Sequence, residues 1–313
     1  MKSKRSYINL IIFHLGLGLL IFRFSFLSKI VLVGAIIYFL WKIIRTGNRN
    51  EDVLIAAGYI TGFEVFSRMT GGAFTYEFAK YMVIMFFLVG MLYKGFNRKS
   101  WPYIFYILSL TPGILFSAMN LDYDSSVANA IGFNLSGPVC IGIAALYCYD
   151  RKLTSERLEK ILLAVILPII SMTIYLYLYT PNIQDILTGT QSNFEASGGF
   201  GPNQVATILG LGMFILFGRL LLINNRFINI IDLALLIFIS YRGIVTFSRG
   251  GVITAGICAV IFFIFYFRRA NPRLKASLVP KGVVILVAVI FTWLYTSFST
   301  FGLIDKRYAN QDA

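Results

Sequence analysis

Charged residues are scarce in this 313-residue sequence: Asp, Glu, Lys and Arg together make up only 13% of it. Soluble domains carry about 25% charged residues, and half of that share is too little to cover the surface of a folded soluble protein. Hydrophobic residues make up 58% of the chain, and the mean hydropathy is +0.75. The composition therefore excludes a soluble globular protein, a disordered chain and a nucleic-acid-binding protein, and it indicates a membrane protein.

Histidine and cysteine are also rare. The one histidine is His14, and the three cysteines, Cys140, Cys148 and Cys258, are scattered through apolar segments without a Cys-x-x-Cys spacing. This set cannot form a recognisable zinc site, and we expect the cysteines to be small buried hydrophobic residues. The sequence therefore predicts neither a metal site nor a cofactor.

Long apolar segments take up most of the chain. A membrane-spanning helix needs about 20 predominantly apolar residues, and eleven segments fit that requirement well enough to predict spans. We therefore expect an all-α, polytopic integral membrane bundle of about 11 helices, forming a single domain over residues 1–313. The predicted spans are residues 8–22, 27–41, 53–66, 78–93, 101–119, 127–149, 161–180, 205–223, 227–247, 252–267 and 282–298.

The basic residues predict how the chain is oriented. With a cytoplasmic N-terminus, 20 of the 28 Lys and Arg residues fall on the cytoplasmic side, as the positive-inside rule requires. This distribution explains the net charge of +14 without a nucleic-acid partner, and eleven spans then place the C-terminal end outside the cytoplasm. The eight basic residues on the outer side are Arg23, Lys29, Arg68, Lys80, Arg242, Arg249, Lys306 and Arg307.

Two short motifs precede predicted helices that start at the outer boundary: GGFGPNQVA at residues 198–206 and TFSRGGV at residues 246–252. An arginine near hydrocarbon usually faces the bundle interior or a water-filled cavity, and its guanidinium binds phosphate bidentately. Arg242 lies seven residues before Arg249, so both would share one face of a continuous helix. For either motif alone, a plain turn and cap is the favoured interpretation, but their joint occurrence is more specific.

Together, GPNQVA and FSRGG in a polytopic chain resemble the O-antigen ligase and O-antigen polymerase family of bacterial membrane glycosyltransferases. The resemblance covers about the second half of the chain, from Ser197 onwards. It implies an enzyme of lipopolysaccharide or exopolysaccharide synthesis in the bacterial cytoplasmic (inner) membrane. The donor would be a glycan linked to undecaprenyl diphosphate, and the acceptor would be lipid A–core or a second lipid-linked glycan. Membrane lipids would surround the enzyme, and no metal would take part.

The resemblance also implies roles for individual residues. Arg249 corresponds to the arginine of the family's SRG motif, which is expected to contact the carrier's diphosphate, and Arg307 is the positional match of a second catalytic arginine. The entry to the eighth predicted span matches a polar segment of the family, whereas one candidate, Arg242, has no family counterpart. The substrate-binding candidates are Asn203, Gln204, Arg242 and Ser248.

The sequence departs from the family in one respect. In the family's ligases, a histidine on a large outer loop is expected to act as the base on the acceptor hydroxyl. This sequence reaches Ala313 before such a loop, and His14 lies too early to replace that histidine. We therefore expect the chain to be truncated relative to the family, with the catalytic loop and the closing helices beyond Ala313.

Two other functions remain open at this point. A transporter or flippase of lipid-linked oligosaccharides would be expected to show repeated halves and polar sites near the midplane, whereas the polar residues here gather at the outer boundary. A non-catalytic assembly component is the other alternative.

The sequence also predicts two ion pairs, Asp232 with Arg226 and Glu64 with Arg68, the second with the i,i+4 spacing of helical neighbours.

Overall fold

The computed structural model describes residues 4–120, 127–187 and 189–310. Thirteen α-helices account for most of these residues, with no β-strand among them, which confirms the all-helical class. The predicted cytoplasmic residues 1–3 and the predicted outer end at Ala313 lie outside the described ranges. The helices are α1 Lys4–Arg23, α2 Leu27–Thr46, α3 Asp52–Met69, α4 Phe78–Lys94, α5 Trp101–Ser109, α6 Thr111–Asn120, α7 Val127–Cys148, α8 Ser155–Tyr179, α9 Pro202–Leu222, α10 Arg226–Ile244, α11 Arg249–Arg269, α12 Pro272–Ser299 and α13 Leu303–Tyr308.

Eight helical segments in the described ranges are long and apolar enough to cross a membrane. They correspond to eight of the eleven predicted spans, so a multi-pass membrane protein is supported by length and composition. The count of eleven is not confirmed. The eight segments are Lys4–Arg23, Leu27–Thr46, Ile131–Cys148, Ser155–Tyr179, Pro202–Leu222, Arg226–Ile244, Arg249–Arg269 and Pro272–Ser299.

The remaining three predicted spans differ for identifiable reasons. Helix α3 carries three charged side chains, and α4 is only 17 residues long. Residues 101–119, predicted as one continuous span, form the two helices α5 and α6, which are separated at Leu110. Pro112 lies in the first turn of α6, where proline is tolerated because its missing N–H would be unpaired anyway.

The chain divides into two compact units. One consists of Phe26–Val165, and the other of Met1–Ser25 together with Ile166–Ala313. The second unit contains both sequence motifs and is called the motif unit below.

In the first unit, Arg68 Nη1 lies 3.2 Å from Glu64 Oε1, which confirms the predicted i,i+4 ion pair.

Within the motif unit, α9 and α11 touch through small residues. A Cβ atom added to Gly251 would lie 2.2 Å from the carbonyl oxygen of Ala206, and one added to Gly210 would lie 2.4 Å from the carbonyl oxygen of Gly251. Ala255 continues the contact one turn further along α11. Small residues spaced four apart let two backbones approach closely, which is a common way to pack helices in membranes.

A buried polar network joins α1, α9 and α10. Arg219 Nε lies 3.0 Å from Asp232 Oδ2, and the Tyr7 hydroxyl donates a hydrogen bond to Asp232 Oδ1. All three side chains are buried, and the Arg219 guanidinium also lies 5.5 Å from the centre of the Tyr7 ring. The ion pair supports the α9–α10 hairpin and attaches α1 to it.

The predicted pairing of Asp232 with Arg226 is therefore wrong. Arg226 is the first residue of α10 and is exposed, and six positions along a helix of 3.6 residues per turn put its side chain on a different face from Asp232. Arg219 reaches the carboxylate across the hairpin.

The contact between α9 and α11 makes a testable prediction for two adjacent glycines. Gly251→Ala is expected to lower stability by about 1–3 kcal/mol, the usual cost of overpacking, because the new Cβ would meet backbone atoms of α9. Gly250→Ala is the matched control, since no atom lies within 4 Å of its added Cβ. Thermal unfolding of both variants in detergent measures the difference, and equal midpoints would contradict the close contact.

The two possible partners of Asp232 are distinguished by a second pair of variants. Arg219→Gln leaves the Asp232 carboxylate buried without its cation, and breaking a buried pair in this way costs about 3–5 kcal/mol. Arg226→Gln is expected to change stability by less than about 0.5 kcal/mol, as surface substitutions usually do. Chemical or thermal unfolding compares them, and a larger loss for the Arg226 variant would restore the pairing predicted from sequence.

Candidate functional site at one end of the motif unit

A four-residue turn, 245–248, joins α10 to α11. The Thr246 hydroxyl donates to the Gly243 carbonyl at 2.7 Å and accepts from the Ser248 N–H at 3.2 Å. Phe247 has a φ of +57°, a left-handed conformation that costs a non-glycine residue about 1–2 kcal/mol. Its side chain is only 1% exposed, and burial of such a side chain contributes about 1.5–3 kcal/mol. Burial of the ring thus offsets the backbone strain, and the turn sets where α11 begins.

Ser248 connects the two sequence motifs. Its hydroxyl donates to Asn203 Oδ1 at 2.8 Å, so the first turn of α9 and the residue before α11 lie side by side. Neither helix has a side-chain hydrogen bond from its N-cap residue. In α9, Pro202 has no N–H and the Gln204 N–H donates to the Gly201 carbonyl at 3.0 Å, so the partial positive charge of the helix N-terminus is what favours a bound anion there.

Two arginines lie beside this junction, and each donates to a backbone carbonyl at or near the other. Arg249 Nη1 donates to the carbonyl of Arg307 at 3.1 Å and to the side-chain oxygen of Asn310, and Arg307 Nε donates to the carbonyl of Phe247 at 3.1 Å. Both guanidinium groups are partly exposed. A guanidinium has five N–H donors, and those on Nε and Nη2 of Arg249 make no hydrogen bond to a described residue. We call Arg249 and Arg307 the arginine pair.

The short helix α13 is held in place by residues that the sequence analysis did not select. Asp305 accepts from Trp293 Nε1 at 3.0 Å and from the Ser297 hydroxyl, which attaches α13 to the end of α12. Tyr308 packs edge-on against Trp293, with ring centres 5.0 Å apart. Burial raises the pKa of Tyr308 to about 12 although both members of the arginine pair lower it, so this hydroxyl stays protonated at neutral pH. The sequence signal that could have indicated α13 is Gly302, a glycine directly before the segment LIDKRY, which has both apolar and charged residues.

Arg242 occupies a different environment from the arginine pair. It is completely buried and donates to three backbone carbonyls, those of Leu176 at 2.8 Å, Ala196 at 3.0 Å and Thr180 at 3.2 Å. The expectation that Arg242 and Arg249 share one helix face is wrong, because α10 ends at Ile244 and a new helix begins after the turn. Arg242 therefore holds the 189–201 loop, through Ala196, next to the C-terminal end of α8.

The other candidates are placed as follows. Gln204 lies half-buried next to Asn203 and folds back towards Gly201, where an added Cβ would come within 3.3 Å of its Nε2 atom. His14 is buried within α1, where its Nδ1 atom lies 2.9 Å from the Leu10 carbonyl. No cluster of three or more His, Cys, Asp or Glu side chains suited to a metal ion occurs in the described ranges.

No family model, curated protein or solved structure matches this chain. The residues of the site and the resemblance of the two motifs are therefore the features that bear on function.

The role of Arg242 leads to a prediction about the 189–201 loop. Arg242→Met removes its hydrogen bond to the Ala196 carbonyl, worth about 1.5–3 kcal/mol for a charged donor, so amide hydrogen exchange in the loop is expected to accelerate at least about tenfold. Arg242→Lys should recover little, because one ammonium cannot reproduce the spread of a guanidinium. Arg268→Met, which removes an exposed arginine, is the control. Unchanged exchange in the Arg242 variants would show that the loop is held by other contacts.

Proposed function

We propose that this protein binds a glycan linked to undecaprenyl diphosphate and transfers or polymerises it at the outer face of the bacterial cytoplasmic membrane, during synthesis of a cell-surface polysaccharide. The observation that carries the proposal is the convergence of Arg249 and Arg307 with the N-termini of α9 and α11. Two guanidiniums and two positive helix ends at one place suit a ligand with several negative charges.

The charge distribution supports the proposed orientation. The end of the motif unit opposite the arginine pair collects most of its basic side chains: Lys4 lies 6.0 Å from the ring of Phe227 at the start of α10, and Lys281 donates to the last carbonyls of α9. The basic end of a membrane protein usually lies in the cytoplasm. The arginine pair would then lie at the outer boundary, where lipid-linked glycans are consumed according to the resemblance.

The proposed chemistry assigns the arginine pair to the leaving group. The acceptor hydroxyl oxygen bonds to the anomeric carbon of the donor while the bond from that carbon to the diphosphate oxygen breaks, and the electron pair leaves with the diphosphate. A fixed guanidinium stabilises the charge that develops there, and removal of one such donor commonly costs about 10²–10³ in rate. Ser248 and Asn203 would orient the ligand from the side, and Gln204 lies next to them. The proton of the acceptor hydroxyl passes to the departing diphosphate or to water at the outer boundary, which balances the step.

Binding of undecaprenyl diphosphate to the purified chain tests the proposal directly. Arg249→Gln is expected to weaken binding about 10- to 100-fold, because it removes one charged hydrogen-bonding group worth about 1.5–3 kcal/mol. The affinity of Arg249→Lys should lie between those of the unmodified protein and Arg249→Gln. Lys306→Gln is the matched control, because it removes an exposed cation adjacent to Arg307. An Arg249 variant that binds as well as the Lys306 variant would refute the diphosphate assignment.

A second measurement separates transfer from transport. Reconstituted protein with a lipid-linked glycan and an acceptor should form a new glycosidic product if the protein is a transferase. Movement of the intact donor between leaflets without a product would instead support the transporter alternative. Binding with neither outcome would point to an assembly component.

A further inference from the structure

A second candidate site lies at the opposite end of the motif unit. A groove of about 490 Å³ lies between α10 and α12, and Leu220 of α9 also lines it. Most of its wall is aliphatic, and its polar groups come from the first turn of α10 and from the part of α12 around Pro280. The residues that line the groove include Arg226, Ile230, Leu233, Ser277, Lys281 and Val284.

The charge in this groove is of one sign. Lys281 is held by three oxygens, the carbonyls of Leu221 at 3.3 Å and Ile223 at 3.0 Å and the side chain of Asn224 at 3.0 Å. These oxygens take its three N–H donors, so Lys281 contributes a positive charge at a defined position and no further hydrogen bond. Arg226 is exposed and forms no ion pair with a described residue, and no Asp or Glu lines the groove. Two positive charges thus stand beside an apolar surface without a negative partner.

The apolar part of the groove suits hydrocarbon. Ile230 and Val284 are 67% and 51% exposed on helices that are long and apolar enough to span a membrane, so their side chains are available to acyl chains. The Ser277 hydroxyl makes no hydrogen bond to another described residue and can donate to a phosphate oxygen. A soluble anion would leave the aliphatic wall uncovered, and a neutral lipid would leave both cations uncompensated.

We propose that this groove binds an anionic phospholipid, with its phosphate hydrogen-bonded to Arg226 beside the fixed charge of Lys281 and its acyl chains along Ile230, Leu233 and Val284. Basic pockets between membrane helices bind anionic lipid headgroups in this way. The site is separate from the arginine pair and does not depend on the proposed glycan chemistry.

Native mass spectrometry of the full chain, titrated with phosphatidylglycerol and phosphatidylcholine of identical acyl chains, tests the proposal. The unmodified protein is expected to bind phosphatidylglycerol more tightly. Arg226→Gln should weaken that binding about fivefold, the effect of one basic residue near an anionic lipid, and should leave phosphatidylcholine binding unchanged. Ile230→Trp, at an exposed position, should fill the groove and reduce occupancy by both lipids.

Arg268→Gln controls for general attraction between a basic protein and an anionic lipid, because Arg268 is exposed and does not line the groove. Phosphatidylglycerol binding should stay within twofold of the unmodified protein in this variant. An equal loss in the Arg226 and Arg268 variants, or no preference for phosphatidylglycerol, would overturn the proposal. Binding of soluble glycerol phosphate as tight as that of the lipid would show an anion site and reject the lipid assignment.

Discussion

The backbone contact between Gly251 on α11 and Ala206 on α9 is the constraint on which the candidate site depends. Since no side chain separates the two helices there, their N-terminal ends are held next to each other. This proximity allows the Ser248 hydroxyl to reach Asn203 and places two helix N-termini beside the arginine pair. A larger residue at position 251 would separate these groups even though it touches none of them directly.

The arginines of the motif unit differ in how their charge is compensated. Arg219 is paired with a carboxylate and Arg242 with three carbonyls, and both are buried. Exposing a guanidinium to hydrocarbon is costly, so these two residues are used by the fold itself. Arg249 is partly exposed and has donors that bind no described residue. Among the residues selected from the sequence, it is therefore the one best placed to bind an external anion.

Local features could be predicted well from the sequence, and features that depend on long-range packing could not. The Glu64–Arg68 pair follows from i,i+4 spacing within one helix and needs no tertiary information. The partner of Asp232 depends on the register of the α9–α10 hairpin, so the nearer Arg226 was a wrong choice. The acceptors of Arg242 are backbone carbonyls, and every residue carries a carbonyl, so no residue type in the sequence marks them.

The sequence by itself determined the apolar, helical character of the chain, because hydrophobic content and segment length are set by composition and order alone. It also marked the two motifs, since glycine, proline and arginine at helix starts have recognisable spacing. Only the tertiary structure decided that Asn203 lies against Ser248, that Arg307 returns to Arg249, and that Arg242 turns inwards. These outcomes depend on how closely α9 and α11 approach and on where α13 docks, and both are set by shape complementarity between residues far apart in the chain.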